Sequence, residues 1–172
     1  TGMPRFDSPS IFAAVLDDKL GGRFTIAPRD QWSSSQRYIS DTNVLETRFE
    51  TVDGIAIVTD CMPLFESDTD PSGLTIRHQI VRMVRCASGK STMEVIYQPM
   101  PDYGRAIPSV TNANDVLVTE WNDQRLDLLT PIDLDVTDDG AVGLLHLVEG
   151  DEVAFVLGYL SLIHISEPTR RY

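Results

Sequence analysis

The residues with the most chemical potential are carboxylates and arginines gathered in loops marked by proline or glycine. Pro4-Arg5-Phe6-Asp7-Ser8-Pro9 sets an arginine and an aspartate on either side of Phe6, and Pro101-Asp102-Tyr103-Gly104-Arg105 repeats the theme much further along. Rigid scaffolds commonly present functional groups on such loops. Two carboxylates held roughly 5–9.5 Å apart can act as general acid and general base, and Asp7 with Asp102, or Asp41 with Glu46, are pairs the chain offers. Turn and capping roles account for Asp41, Asp53, Asp123 and Asp139 more economically. No catalytic residue is therefore assigned within the chain. For Arg5, Phe6, Asp7, Asp102, Tyr103 and Arg105 two readings stay open. Either Arg5 or Arg105 pairs with Asp7 or Asp102 to pin the loops, or the loops face a partner.

Other chemistries find less support. His78 and His146 stand apart, with no neighbouring Cys/His pattern of the kind that converges three or four ligands on a metal, so no metal or other cofactor is expected. Gly21-Gly22 is too short to cradle a phosphate, and no serine near either histidine forms a nucleophile elbow. Trp32 and Trp121 could stack on a sugar ring, although a lone tryptophan on a β surface is more often core or interface. Cys61 and Cys86 lack CxxC spacing and fit a pair of reduced thiols at least as well as a disulfide.

These groups must be positioned by a chain of 172 residues, one domain by its size. The net charge of −12 argues against nucleic acid as a partner, because phosphate recognition needs a basic surface. No apolar run reaches the roughly 18 residues of a membrane span. Ser10 to Leu16 carries Ile11, Phe12, Val15 and Leu16 at helical spacing behind a capping serine, which predicts a short N-terminal helix ended by Gly21-Gly22. From Arg23 the period changes to two. Phe24 and Ile26 alternate with Arg23, Thr25 and Ala27 up to Pro28, and Gln31 to Ser35 reads as a polar loop.

Val44 to Glu50 and Ile55 to Met62 flank Asp53-Gly54, a strong hairpin signal. Ser67 to Gly73 is the most loop-like piece. Ile76 to Cys86, a turn at Ser88-Gly89, and Ser91 to Gln98 follow, the last with Met93, Val95 and Tyr97 on one face. Further runs at Val116 to Trp121, Arg125 to Leu129, Val142 to Val148 and Val153 to Tyr159 are separated by Asn/Asp/Gly turns. Turn signals at such short spacing predict an all-β fold, an antiparallel β-sandwich. Both faces of Val153 to Tyr159 are apolar, so that strand is expected to lie between two layers, part of its surface covered by whatever follows.

The two proline- and glycine-marked loops, with Asp41-Thr42-Asn43-Val44-Leu45-Glu46-Thr47, Gly21-Gly22-Arg23-Phe24 and Val58-Thr59-Asp60-Cys61-Met62-Pro63, resemble the N-terminal domain of bacterial family 15 glycoside hydrolases, the glucoamylase-like and trehalase-like enzymes. The resemblance runs from about Met3 to Tyr159. It implies a supersandwich-like β domain that precedes an α/α toroid carrying both catalytic carboxylates. It further implies an α-glucoside as the parent's substrate, the toroid as this domain's partner, and a cytoplasmic bacterial setting. Arg5, Phe6, Asp7, Asp102, Tyr103 and Arg105 would then lie at the domain interface or the pocket rim. Cys61 stands where the family suggests an aromatic residue, Pro101 where it commonly has Phe, and a Trp-containing segment expected before Pro4 is missing. A free-standing carbohydrate-binding module and a structural sandwich without ligand are the rival readings. The stretch 160–172 (Leu160-Ser161-Leu162-Ile163-His164-Ile165-Ser166-Glu167-Pro168-Thr169-Arg170 onward) resembles a translated sequencing adapter and is expected to be foreign, leaving 1–159 as the domain, cut at both ends.

Overall fold

The computed structural model describes residues 3–5, 7–66, 74–114 and 116–161. Phe6, the expected loop 67–73 and residues 162–172 lie outside the described residues. Among the described residues thirteen strands follow one another: β1 (Arg23–Pro28), β2 (Ser33–Tyr38), β3 (Leu45–Glu50), β4 (Gly54–Cys61), β5 (Leu64–Glu66), β6 (Leu74–Ile76), β7 (Gln79–Gln98), β8 (Ser109–Asn112), β9 (Val116–Trp121), β10 (Gln124–Leu129), β11 (Asp135–Thr137), β12 (Gly140–Val148) and β13 (Glu152–Ser161). All pairings are antiparallel. The all-β expectation is met, and the Asp53-Gly54 hairpin forms as anticipated, Glu50 opposite Ile55.

Strand β7 organises the molecule. Its first half pairs with β4 and β13 in a larger sheet of order β2-β3-β4-β7-β13-β10-β9-β8, and its second half pairs with β1 and β12 in a smaller one. The turn expected at Ser88-Gly89 is not a hairpin. Ile55 faces Ser88 but Ala56 faces Cys86, so Ala87 is skipped and the strand carries a bulge. Gly89 has φ of +67°, and a Cβ there would lie 2.2 Å from the Asp53 carbonyl oxygen. A positive-φ glycine serves a bulge as well as a turn, and the extra residue flips the alternation. Val84 and Cys86 are buried before it, Ser91, Met93, Val95 and Tyr97 after it. One strand thereby turns a corner from one sheet to the other.

Between the layers an aromatic cluster forms. Phe24 of β1 meets Phe155 of β13 edge-on at 6.2 Å and Tyr97 at 5.7 Å, and Phe12 joins from the N-terminal segment. The buried Tyr97 hydroxyl bonds the buried Thr119 hydroxyl of β9 across the sandwich at 2.8 Å. Burial pushes the Tyr97 phenol well above its ordinary pKa.

Two further expectations change, and a third gains detail. Ser33 to Ser35 belongs to β2, an entirely exposed edge strand. A polar edge strand shows no alternation, so composition alone makes it look like a loop. Ser10 to Leu16 is not a helix: the Ala13 and Ala14 amides bond the Gly21 and Gly22 carbonyls, and Asp17 accepts the Lys19 and Leu20 amides, so the segment doubles back as turns. Ile11 is buried while Val15 and Leu16 stay exposed, which no single helical stripe would produce. Among the described residues strand β13 packs one face into the core and leaves the other, expected to be covered by whatever follows, open. Phe155 and Leu157 are buried, whereas Ala154 is exposed and Val156 half-buried. Val156 belongs to an outward-facing apolar row, Cys61-Val81-Val156-Leu129-Val116, that crosses the larger sheet in register. β13 continues past Tyr159 to Ser161, with Leu160 opposite Arg125.

Candidate functional site

The loop around Asp102 is built on strained backbone. Asp102 and Tyr103 adopt φ of 52° and 56°, and Gly104 follows at 77°, making one left-handed turn. Only glycine takes this conformation freely, and a non-glycine residue in left-handed helical geometry costs about 1–2 kcal/mol. The turn is held from both sides. The Gly104 amide donates to Met100 (3.2 Å) and the Ala106 amide to Pro101 (3.2 Å). The Tyr103 amide reaches the Ser10 carbonyl (3.1 Å), and the Met100 amide reaches Ile11 (3.0 Å). Gly22, at φ of +68°, lets the 11–22 segment close against Gln98 and Met100, where a Cβ would meet backbone at 2.7 Å. The two loops singled out from sequence are thus brought together through Ser10 and Ile11.

Their charges do not cross between loops. Arg5 pairs with Asp7 at 3.0 Å, with the Arg5 amide also on the Ser8 hydroxyl, and Arg105 pairs with Asp102 at 3.6 Å while its Nε donates to the Asp102 carbonyl at 3.1 Å. Both pairs are exposed, and such pairs contribute roughly 0–1 kcal/mol. Tyr103 is about half exposed, with Arg105 set 5.6 Å over its ring. Val15, Leu16, Leu20 and Ile107 of the two flanking segments are exposed as well, the last at 95%, and the Leu20 carbonyl lies 2.7 Å from where a Gly104 Cβ would fall. The two segments joined by these bonds therefore combine fixed backbone, exposed apolar side chains and paired charges. Persistent strain of this kind tends to mark functional surfaces. Replacing Tyr103 by glycine should stabilise the isolated chain by about 0.5–1 kcal/mol in urea unfolding, since the left-handed penalty exceeds glycine's entropy cost. A loss of stability would mean that the contacts of the half-buried ring and Arg105 outweigh the left-handed penalty.

The other candidates are placed as follows. Asp41, with φ of 60°, sits in the β2–β3 turn, while Glu46 pairs with Arg37 at 2.8 Å. Trp121 is buried, and Trp32 is 44% exposed with its ring perpendicular to Phe49 at 5.1 Å. His146 Nδ1 lies 3.1 Å from the Thr92 hydroxyl, its cross-strand partner. Cys61 and Cys86 are free. Cys61 lies opposite Val81, five residues along β7 from Cys86, about 17 Å at strand rise and far beyond disulfide reach.

Sequence reasoning missed one arrangement. Arg82 grips Asp60 with two bonds, 2.7 and 3.1 Å, bonds the Phe24 carbonyl with its remaining nitrogen, and lies 4.9 Å over the Phe24 ring. The signal was present: Asp60 follows Ala56 and Val58, and Arg82 precedes Val84, on otherwise apolar inward faces.

Comparison with known proteins extends these observations. Residues 2–158 match a family described as trehalase-like, N-terminal. The chain is 33% identical over 114 residues to a trehalase of Mycolicibacterium smegmatis, covering 60% of this chain and 17% of that protein. It is 37% identical over 113 residues to trehalase 1 of Sulfolobus acidocaldarius, covering 65% and 17%, and 25% identical over 178 residues to trehalase 2 of the same organism, covering 99% and 28%. The matched region is thus between 17% and 28% of these relatives' length. No solved structure matches the chain. With a match that spans nearly all of the two-layered β region, the chain belongs to the trehalase-like N-terminal domain family.

Proposed function

We propose that this chain is the non-catalytic N-terminal β-sandwich of a family 15 type α-glucoside hydrolase acting on trehalose or α-linked gluco-oligosaccharides, and that it packs on a helical catalytic domain. In that domain one carboxylic acid protonates the leaving oxygen while a carboxylate activates water on the opposite face. The observation that carries the reading is the match to a trehalase-type N-terminal domain together with the small share of the related trehalases that the match occupies. The site geometry supports it. Asp7 and Asp102 are each taken up by an arginine of their own loop, an arrangement for bracing rather than proton transfer.

The exposed apolar side chains Val15, Leu16, Leu20, Tyr103 and Ile107, carried by the two joined segments, are the surface we assign to the catalytic domain. Arg5, Asp7, Asp102 and Arg105 would fix the shape of that contact and shape the rim of the pocket entrance. The test is turnover. Incubated with trehalose or maltose, the 172-residue chain should release no glucose, while a longer chain that continues into a helical region should cleave trehalose. Glucose release by the 172-residue chain would overturn the assignment.

A further inference from the structure

We propose that the groove between β1 and the inward face of β2, β3 and β4 is a second carbohydrate site, one that binds a neutral glucose-built glycan without cleaving it. The smaller sheet reaches β1 and goes no further on that side among the described residues, while the larger sheet continues through β4 and β3 to β2. The overhang leaves a cavity of about 290 Å³. Its lining includes Trp32, Gln36, Thr47, Asp60 and Arg82.

Each of these residues is suited to a sugar. Trp32 is packed edge-to-face with Phe49 yet 44% exposed, so it is fixed in place and still offers ring surface for the C–H face of a pyranose. Gln36 donates one amide hydrogen to the Thr47 hydroxyl at 3.1 Å. An amide has two donors and two acceptor lone pairs, which leaves most of its capacity for ligand hydroxyls. Asp60 and Arg82 form a bidentate pair whose geometry is fixed by the Phe24 carbonyl and ring, and the carboxylate lone pairs and guanidinium N–H groups left over can meet ligand hydroxyls. The pair is electrically balanced, which suits a neutral ligand better than an anion.

The inward face of β2 extends the floor. Ser34, Gln36 and Tyr38 alternate along it beyond Trp32, and Tyr38 is exposed. Trp32 and Tyr38 are six residues apart, about 20 Å at strand rise, with polar side chains between them. That spacing fits an extended oligosaccharide better than a single ring.

The choice of glucose-built probes rests on the trehalase reading, whereas the groove's polar and aromatic character does not. The experiment is calorimetric titration of the 172-residue chain with maltoheptaose and with trehalose, followed in parallel by tryptophan fluorescence. Saturable binding of at least one of them at roughly millimolar dissociation constants is expected, with a change in Trp32 emission. Trp32→Ala should weaken it about five- to tenfold, and Gln36→Ala, which removes an exposed side chain and its bond to the Thr47 hydroxyl, should weaken it about threefold. Absence of saturation with both sugars, or binding that neither variant alters, overturns the proposal. That outcome would leave the trehalase reading standing, because that reading is decided by turnover in the longer chain.

Discussion

Replacing Phe155 with alanine is expected to destabilise the chain by about 3–5 kcal/mol, the range for large aromatic truncations in a packed core. Phe155 is fully buried on β13, which is hydrogen-bonded to β7 on one side and β10 on the other. Its ring meets Phe24 of the opposite sheet edge-on at 6.2 Å, so its loss opens a cavity where the two layers touch. Strands anchored on both sides cannot collapse to fill such a space, which places the cost toward the upper end. A domain of this size has about 5–15 kcal/mol in total, so the variant would be marginal at 37 °C. Urea unfolding should show a lower midpoint with an unchanged slope. Ala154→Ser, one residue away on the exposed face, should stay within about 0.5 kcal/mol of the parent. A loss below about 1 kcal/mol for the phenylalanine change would mean that the layers do not depend on this contact.

The same strand shows what the amino-acid order reveals and what it hides. Alternation at Met93, Val95 and Tyr97, and the Asp53-Gly54 turn, translate directly into structure because each depends on neighbours along the chain or one hairpin away. The Ser88-Gly89 bulge does not. Its residue types suit a turn and a bulge equally, and only pairing with the distant Gly54 decides between them. The Ser10 to Leu16 segment fails as a helix for a similar reason. Its apolar spacing is helical, but the Gly21 and Gly22 carbonyls capture its amides first. On β13 the apolar outer face predicts a covering layer, and strand order alone shows that Val156 shares that face with Val81 and Leu129 in one outward-facing row.

At the candidate site the loops were legible, and their partners were not. Proline and glycine mark Arg5-Asp7 and Asp102-Arg105, yet residue types could not say whether the arginines would pair within a loop or across loops. A two-residue or three-residue loop closure is entropically cheaper than one spanning most of the chain, and the local pairs are the ones formed. The left-handed backbone at Asp102 and Tyr103 has no sequence signature beyond Gly104, because neither an aspartate nor a tyrosine demands it. It follows from Met100, Pro101 and Ser10 holding the turn from outside.

Charging the exposed apolar side chains of the joined segments should uncouple the domain from its enzyme. In a longer, trehalose-cleaving chain, Leu20→Glu combined with Ile107→Glu is expected to lower turnover at least about tenfold, since truncating or charging central interface residues costs 1–2 kcal/mol or more each. Leu20 and Ile107 are both exposed, and Leu20 adjoins the left-handed turn, its carbonyl lying where a Gly104 Cβ would fall. Neither change touches the aromatic core, so the 172-residue chain carrying both should unfold at nearly the parent urea concentration. Leu129→Glu is the informative comparison. It charges the apolar row on the outer face of the larger sheet, which includes no residue of the strained loops. If the catalytic domain covers the joined segments, Leu129→Glu leaves turnover near the parent level while the double variant loses it. If the sensitivities are reversed, the outer sheet face is the true contact, and the strain at Asp102 and Tyr103 then has no role in docking.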